Sequence, residues 1–428
     1  MERYLLKYLM DNTESDLEKK YIDYLKVNLN AKLYAYGDNM REAYPEPQAI
    51  RIKGLLVYFL TLLKSNYVKK GTDHNRLLSF VRMPSVLESK YNLEFTSSIL
   101  NPVCSKNICS RSLLNYYILY LKLTRAKKFN EILDDEFLQQ MQEYEGIITE
   151  TYSKYNLKGL IIPNGDPFLY NLHLDIFKKL QLPSYIVLHG IPGIYHLECE
   201  KKADYLLVWG EQIKQNYIDV GFDQNRIKVI GHPRYTEVPK MSKLRNTLDN
   251  VLVATTASTN FNPHGWEYDE FSLFDRNLLL LYCYSVENVL KKLGVKHARL
   301  RAHPSVGREW LEKFVDLDFY EVEKNVRTNL SESLRKSSIV IGPTSSVWLE
   351  SILYGVNYIV YEPGDGKKNI TGSLLVPPFD GSDSNLKVAN DEYSLYDMIK
   401  NRYVLNTEII NKYIEPFHFE EVYKLFNR

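Results

Sequence analysis

The chain has 428 residues, a length that suits two domains of roughly 200 residues each better than one small core. Lys and Arg number 54 against 53 Asp and Glu, so a net charge of +1 gives no support for a broad nucleic-acid-binding face. The 45% apolar content, with 20 Gly and 17 Pro, excludes fibrous and low-complexity classes. Cys104, Cys109, Cys199 and Cys283 form neither a C-x-x-C pair nor a zinc-spaced cluster, which favours a reducing, cytoplasmic setting without structural zinc.

In chain order, Glu2, Arg3 and Lys7 interrupt the start, which lacks the apolar core of a secretory signal. Residues 1–70 are predicted to be helices: Tyr4, Leu5, Tyr8 and Leu9 recur at helical spacing, as do Tyr21, Tyr24, Leu25 and Leu29. The apolar run Gly54 to Leu63, closed by Lys53 and Lys64, is about half of the roughly 20 residues needed to span a bilayer and is expected to be a buried helix. Lys69 and Lys70 allow a peripheral contact with an anionic membrane at its inner face, although a solvated turn is the commoner meaning of two lysines. Beyond them, the apolar runs Leu160 to Ile162, Tyr185 to Leu188, Tyr205 to Val208 and Ile227 to Ile230 alternate with helical stretches and end in polar turns. Such continuous apolar strands argue for a parallel sheet covered on both faces.

From Pro239 to Asn250 the chain is polar, and a domain linker is predicted there. A second series follows: strands at Val251 to Ala254, Ala298 to Ala302, Ser338 to Ile341 and Tyr358 to Tyr361, with helices near 278–293 and 347–354. The expected α/β architecture is therefore an acceptor-binding lobe over 1–240, capped by helices, and a nucleotide-binding lobe over 241–428 ending in helices. The mostly helical segment after Tyr393 could cross back to brace the first lobe.

Ligands of open parallel sheets collect beyond the carboxyl ends of the strands. In the second lobe those turns read Thr255-Thr256-Ala257-Ser258, His303-Pro304-Ser305 and Gly342-Pro343-Thr344-Ser345-Ser346, a rim of hydroxyls and cationic donors suited to a phosphate. Arg301 and His303 could donate to the same anion, and Glu350 could accept both hydroxyls of a ribose. The bland alternatives stay open: helix capping by Ser345 and Ser346, a satisfied turn at His303, a surface carboxylate at Glu350.

These residues carry a resemblance. The second half is similar to the nucleotide-binding domain of GT-B glycosyltransferases, especially bacterial sialyl-, polysialyl- and Kdo-transferases and teichoic-acid glycerophosphotransferases. Arg301-Ala-His-Pro304 resembles their His-Pro motif and Thr344-Ser-Ser346 their paired-serine motif. Upstream, His189-Gly-Ile-Pro192, Ala203 to Gly210 and Val229 to Tyr235 look like first-domain segments, so the resemblance covers residues 155–365. It implies two doubly wound Rossmann-like domains facing a cleft, with a cytidine nucleotide held by Thr256, Ser258, Arg301, His303, Thr344, Ser345, Ser346 and Glu350. Two features depart from the pattern: Tyr358 stands where many retaining enzymes have a second Glu, and the acidic motif supplying the base in several sialyltransferases is not intact.

The reaction so implied is inverting transfer of an acidic sugar, of sialic acid or Kdo type, from a CMP-sugar to a surface glycan or glycolipid, as in capsule or lipopolysaccharide biosynthesis. Asp166 is the first choice as base and His189 the second, with an Asx-turn or helix cap as the plain alternative for Asp166. His303, Ser345 and Ser346 would stabilise the leaving phosphate. No cofactor is expected, and no metal, since no Asp-x-Asp follows a strand. The competing readings are glycerol- or ribitol-phosphate transfer from a CDP-alcohol, a non-catalytic nucleotide- or glycan-binding protein, and a sugar epimerase on the same fold.

Overall fold

The structure, a computed structural model, describes residues 5–34, 47–64, 67–71, 75–99, 101–125, 134–163, 168–188, 190–192, 195–235, 243–255, 276–303, 311–323, 330–370 and 374–427. Two parallel sheets follow one another along the chain. The first has strands β1 (Asn75–Ser79), β2 (Leu93–Ser98), β3 (Lys106–Ile108), β4 (Leu157–Ile162), β5 (Ser184–Val187), β6 (Tyr205–Val208) and β7 (Ile227–Val229) in the order β3-β2-β1-β4-β5-β6-β7. The second has β8 (Val251–Ala254), β9 (Ala298–Arg301), β10 (Tyr320–Val322), β11 (Ile339–Gly342), β12 (Asn357–Tyr361) and β13 (Val388–Ala389) in the order β10-β9-β8-β11-β12-β13. Two doubly wound lobes in tandem are the GT-B arrangement.

The predicted strands from Leu160 onward form as expected: β4, β5, β8, β11 and β12 are apolar and buried on both faces, while β7 and β9 carry Lys228 and the alternating Arg299 and Arg301 on a partly buried face. Strands β1 and β2 are absent from the sequence-based expectation, and polar residues explain it. Arg76, in β1, is buried and its Nε lies 2.5 Å from the Glu94 carboxylate in β2, while its Nη1 donates to the Tyr155 carbonyl at 2.9 Å. Lys106 reaches the other Glu94 oxygen at 2.7 Å. Glu94 is consequently held below its usual carboxylate range: burial opposes the charge, but the two cations outweigh it.

Helices α1 (Leu5–Asn12), α2 (Asp16–Tyr34) and α3 (Pro47–Leu63) form the expected cap. Tyr21, Ile22, Tyr24 and Leu25 of α2 are buried in the first lobe, where Tyr21 and Tyr116 share the buried Glu145 carboxylate. Helix α3 corrects the expectation of a buried helix. Gly54 lies against Leu114 of helix Arg111–Arg125, where a Cβ would come within 2.7 Å of the leucine, but Leu56, Phe59 and Leu63 are exposed. A run apolar all round carries no period to mark which face packs, so its sequence could not distinguish the two outcomes.

Residues 414–427 pack on the first lobe. Val422, Leu425 and Phe426 of helix Phe419–Phe426 join Leu77, Ile161, Tyr185 and Leu207 in one buried cluster. Between the lobes, Trp348 and Tyr413 belong to an apolar cluster that also contains Trp209 and Tyr217.

Candidate active site between the lobes

Each sheet has one point where the strand order reverses, between β1 and β4 in the first and between β8 and β11 in the second. A cavity of roughly 480 Å³ lies against the first of these and against the turn and helix that follow β11 of the second. From the first lobe it is lined by Arg82 and Met83 after β1, Pro163 after β4, Leu188 after β5, Trp209 after β6, and His232 and Arg234 after β7; from the second, by Ser346, Leu349 and Glu350.

On the second-lobe side, the turn after β11 is held from below. Tyr358 donates its hydroxyl to the Pro343 carbonyl at 2.7 Å, and a Cβ on Gly342 would collide with that phenol, so only glycine fits there. The buried Glu362 carboxylate accepts the Thr344 amide and, at 2.5 Å, the Ile370 amide. Burial raises the Glu362 pKa, and those donors only partly offset it. The bland reading of the serines as caps is weak: Ser346 makes no side-chain capping bond to helix Val347–Leu353, and Ser345 Oγ accepts the Val347 amide at a long 3.4 Å. Ser346 instead faces the first lobe, where a Cβ added at Gly190 would lie 3.5 Å from its own Cβ.

Glu350 lies across the cavity from Arg234, 3.8 Å from the guanidinium. Burial raises its pKa, with Arg234 and Arg301 pulling the other way. Arg301 points its guanidinium at Glu323 (2.5 Å) and Ser333 (2.9 Å), which makes it a strut between β9 and helix Leu330–Lys336. His303 follows β9. Its amide donates to the Thr255 hydroxyl at 2.8 Å, and burial lowers its pKa. With β8 between β9 and β11, the turns carrying His303 and Ser345 start two strand spacings apart, roughly 10 Å. Thr255 stands between them, while His303 does not line the cavity that Ser346 and Glu350 share. Asp166, His189, Thr256 and Ser258 lie outside the described residues.

The first-lobe side holds residues to which the sequence analysis assigns no role. His232 is buried, packs against the rings of Trp209 (4.2 Å between centroids) and Tyr235 (4.3 Å), and accepts the Arg234 amide on Nδ1 at 3.1 Å. That bond places the proton of the neutral ring on Nε2. Burial, and then the nearby Arg234 charge, push the pKa down to about 4, so the imidazole is neutral at pH 7. Trp209 keeps a buried indole N–H without a partner. The turn Gly231-His-Pro-Arg234 follows a predicted strand, where ligands of parallel sheets collect, and that position is the signal that could have singled out its imidazole. Among the described residues no group of three His, Cys, Asp or Glu is placed to hold a metal ion, and no helix is long and apolar enough to cross a membrane.

No protein-family model matches the sequence, and no curated protein matches it. Solved structures with a similar fold include the UDP-GlcNAc 2-epimerase of Methanocaldococcus jannaschii in complex with UDP-GlcNAc and UDP: 12% identity over 82% of this chain and 98% of that one, TM-score 0.49. MnaA of S. aureus with UDP is 13% identical over 81% and 93% of the two chains, TM-score 0.48. The wall teichoic acid polymerase TagF is 16% identical over 97% and 98%, TM-score 0.43.

Proposed function

We propose that this protein is an inverting glycosyltransferase that moves an acidic sugar, of sialic acid or Kdo type, from a CMP-sugar to a surface glycan acceptor. The observation that carries the reading is the cavity between the β1–β4 reversal of the first lobe and the turn after β11 of the second, with the Ser346 hydroxyl and Glu350 carboxylate on one wall and Arg82, His232 and Arg234 on the other. The nucleotide belongs on the second lobe: Ser345 and Ser346 would take the phosphate, approached by Thr255 one strand away and by His303 two strands away, and Glu350 the ribose. Arg82 and Arg234 suit the carboxylate of an acidic sugar, because guanidinium forks pair with carboxylates.

In the reaction the acceptor oxygen bonds to the anomeric carbon, the bond from that carbon to the phosphate oxygen breaks, and its electron pair leaves with CMP. The acceptor proton passes to a carboxylate. Asp166 is assigned that role, three residues beyond the cavity-lining Pro163, with His189, between Leu188 and Gly190, as second choice. A neutral His303 serves the departing phosphate as a hydrogen-bond donor.

The test is a thermal-shift series with CMP, CDP, UDP and GDP, followed by turnover of CMP-sialic acid, CMP-Kdo and CDP-glycerol in parallel, with and without EDTA. Stabilisation by CMP and EDTA-insensitive release of CMP from a CMP-sugar are expected, with activity lost in His303→Ala. A shift with UDP alone, or turnover of CDP-glycerol alone, overturns the reading.

A further inference from the structure

We infer that helix α3 docks this protein on an anionic membrane surface, lying in the plane of the interface. Among the described residues, Ile52, Leu55, Leu56, Phe59, Leu60 and Leu63 are all exposed large apolar side chains of this one helix, with Phe59 57% and Leu63 79% accessible. At about 100° per residue these positions fall on a single stripe, while Gly54, on the opposite side, meets Leu114 of helix Arg111–Arg125. The helix is therefore seated on the protein by one face and presents the other. Monomeric soluble proteins seldom leave such a contiguous apolar patch uncovered.

Charge identifies what covers it. From Pro47 to Thr72 the sequence has five cationic residues (Arg51, Lys53, Lys64, Lys69, Lys70) and no Asp or Glu. Lys64, Lys69 and Lys70 are exposed beyond the carboxyl end of the helix. The supporting helix Arg111–Arg125 also lacks an acidic residue, although the whole chain is nearly neutral at +1. An apolar stripe carried on an acid-free, five-cation stretch of chain, with Glu150 as a nearby carboxylate of Lys70, matches a bilayer whose headgroups are negative and whose interior is apolar, the pattern of interfacial helices. At 17 residues α3 is too short to span, so insertion is shallow. The inference does not depend on the donor.

The experiment is co-sedimentation of the full chain with vesicles of phosphatidylcholine alone and of equal parts phosphatidylcholine and phosphatidylglycerol. Wild type should pellet with the anionic vesicles and release in high salt. Leu56→Ser with Phe59→Ser should bind at least about tenfold more weakly. Lys69→Glu with Lys70→Glu should lose the preference for anionic lipid while keeping the wild-type thermal midpoint, because both side chains are exposed. Failure of wild type to pellet, or pelleting of either double variant with anionic vesicles to the same extent as wild type, overturns the inference. So does a dimer in light scattering that Leu56→Ser with Phe59→Ser converts to monomer, since a second copy would then be the occupant.

Discussion

The two walls of the cleft are built differently. The second-lobe wall, Ser346, Leu349 and Glu350, follows a turn fixed from within its own lobe, by Tyr358 and by the buried Glu362. On the first-lobe wall, Trp209, His232 and Arg234 stand on turns that are fixed by a segment arriving from residues 414–418, whereas the Arg82 turn is held within the lobe, where Phe80 donates its amide to the Ile161 carbonyl. Glu415 donates its amide to the Trp209 carbonyl and accepts the His232 amide, both at 2.9 Å; Phe417 and His418 bond the carbonyl groups of Tyr235 and Ile230. One wall is thus locally encoded, whereas this part of the other exists only when residues about 200 positions apart meet. The hydroxyl turn after β11 can therefore form with its own sheet, while the turns carrying Trp209 and His232 depend on residues 414–418 reaching the first lobe.

The sharpest way to break that contrast is Gly231→Ala. Gly231 has a φ of 72°, and a Cβ there would sit 2.0 Å from the Pro416 carbonyl oxygen, so strain adds to loss of the strap. We expect a loss of about 4 kcal/mol in urea unfolding. Gly190, where a Cβ would meet Ser346 at an ordinary contact distance, provides the matched control, and its alanine variant should stay within about 0.5 kcal/mol of wild type.

A smaller effect comes from pH. The His232 pKa is depressed in the folded state to about 4 from an unfolded value near 6.5, so the unfolded chain binds more protons between those limits. The stability this neutral ring contributes is complete above pH 6.5 and is lost as pH falls through 4, by up to about 3 kcal/mol. His173, buried under Tyr152 in the same lobe and also pushed down to about 4, adds a loss of the same sign. Urea midpoints at pH 7 and pH 4.5 should converge in His232→Gln relative to wild type. An unchanged slope would show that the ring is solvated.

The smallest expected change in stability is at Arg234, 77% exposed and paired to Glu350 at 3.8 Å. Arg234→Ala should alter stability by less than about 0.5 kcal/mol. Under the proposed function it should nevertheless raise KM for the acidic donor about tenfold with a smaller change in kcat. Equal KM values would remove Arg234 from donor recognition and leave Arg82 as the guanidinium facing the donor carboxylate.

How much of this was legible follows the same division. The strands from Leu160 onward, both series of alternating elements and the hydroxyl turn at 342–346 were readable, because continuous apolar runs and the polar turns after them are local signals. Strands β1 and β2 were not, since Arg76 and Glu94 look like surface residues until their pairing is seen. Nor was Arg82, whose importance lies in facing Ser346 and Glu350 across a gap, while His232 and Arg234 carried only the signal of standing after a predicted strand. Glu362 gave no signal either, because a carboxylate beneath a turn is recognisable only by the amides that reach it.

By itself, the sequence determined the α/β class, two successive sheets and the chemistry of the second-lobe turns, because periodicity and strand-end composition act over a few residues. Only the tertiary structure decided which turns share a cavity, that Arg301 serves Glu323, that α3 lies open on the surface, and that residues 414–418 strap the first lobe. Each of those outcomes depends on a partner distant in sequence, and a contact between distant residues leaves no trace in the local pattern of either one.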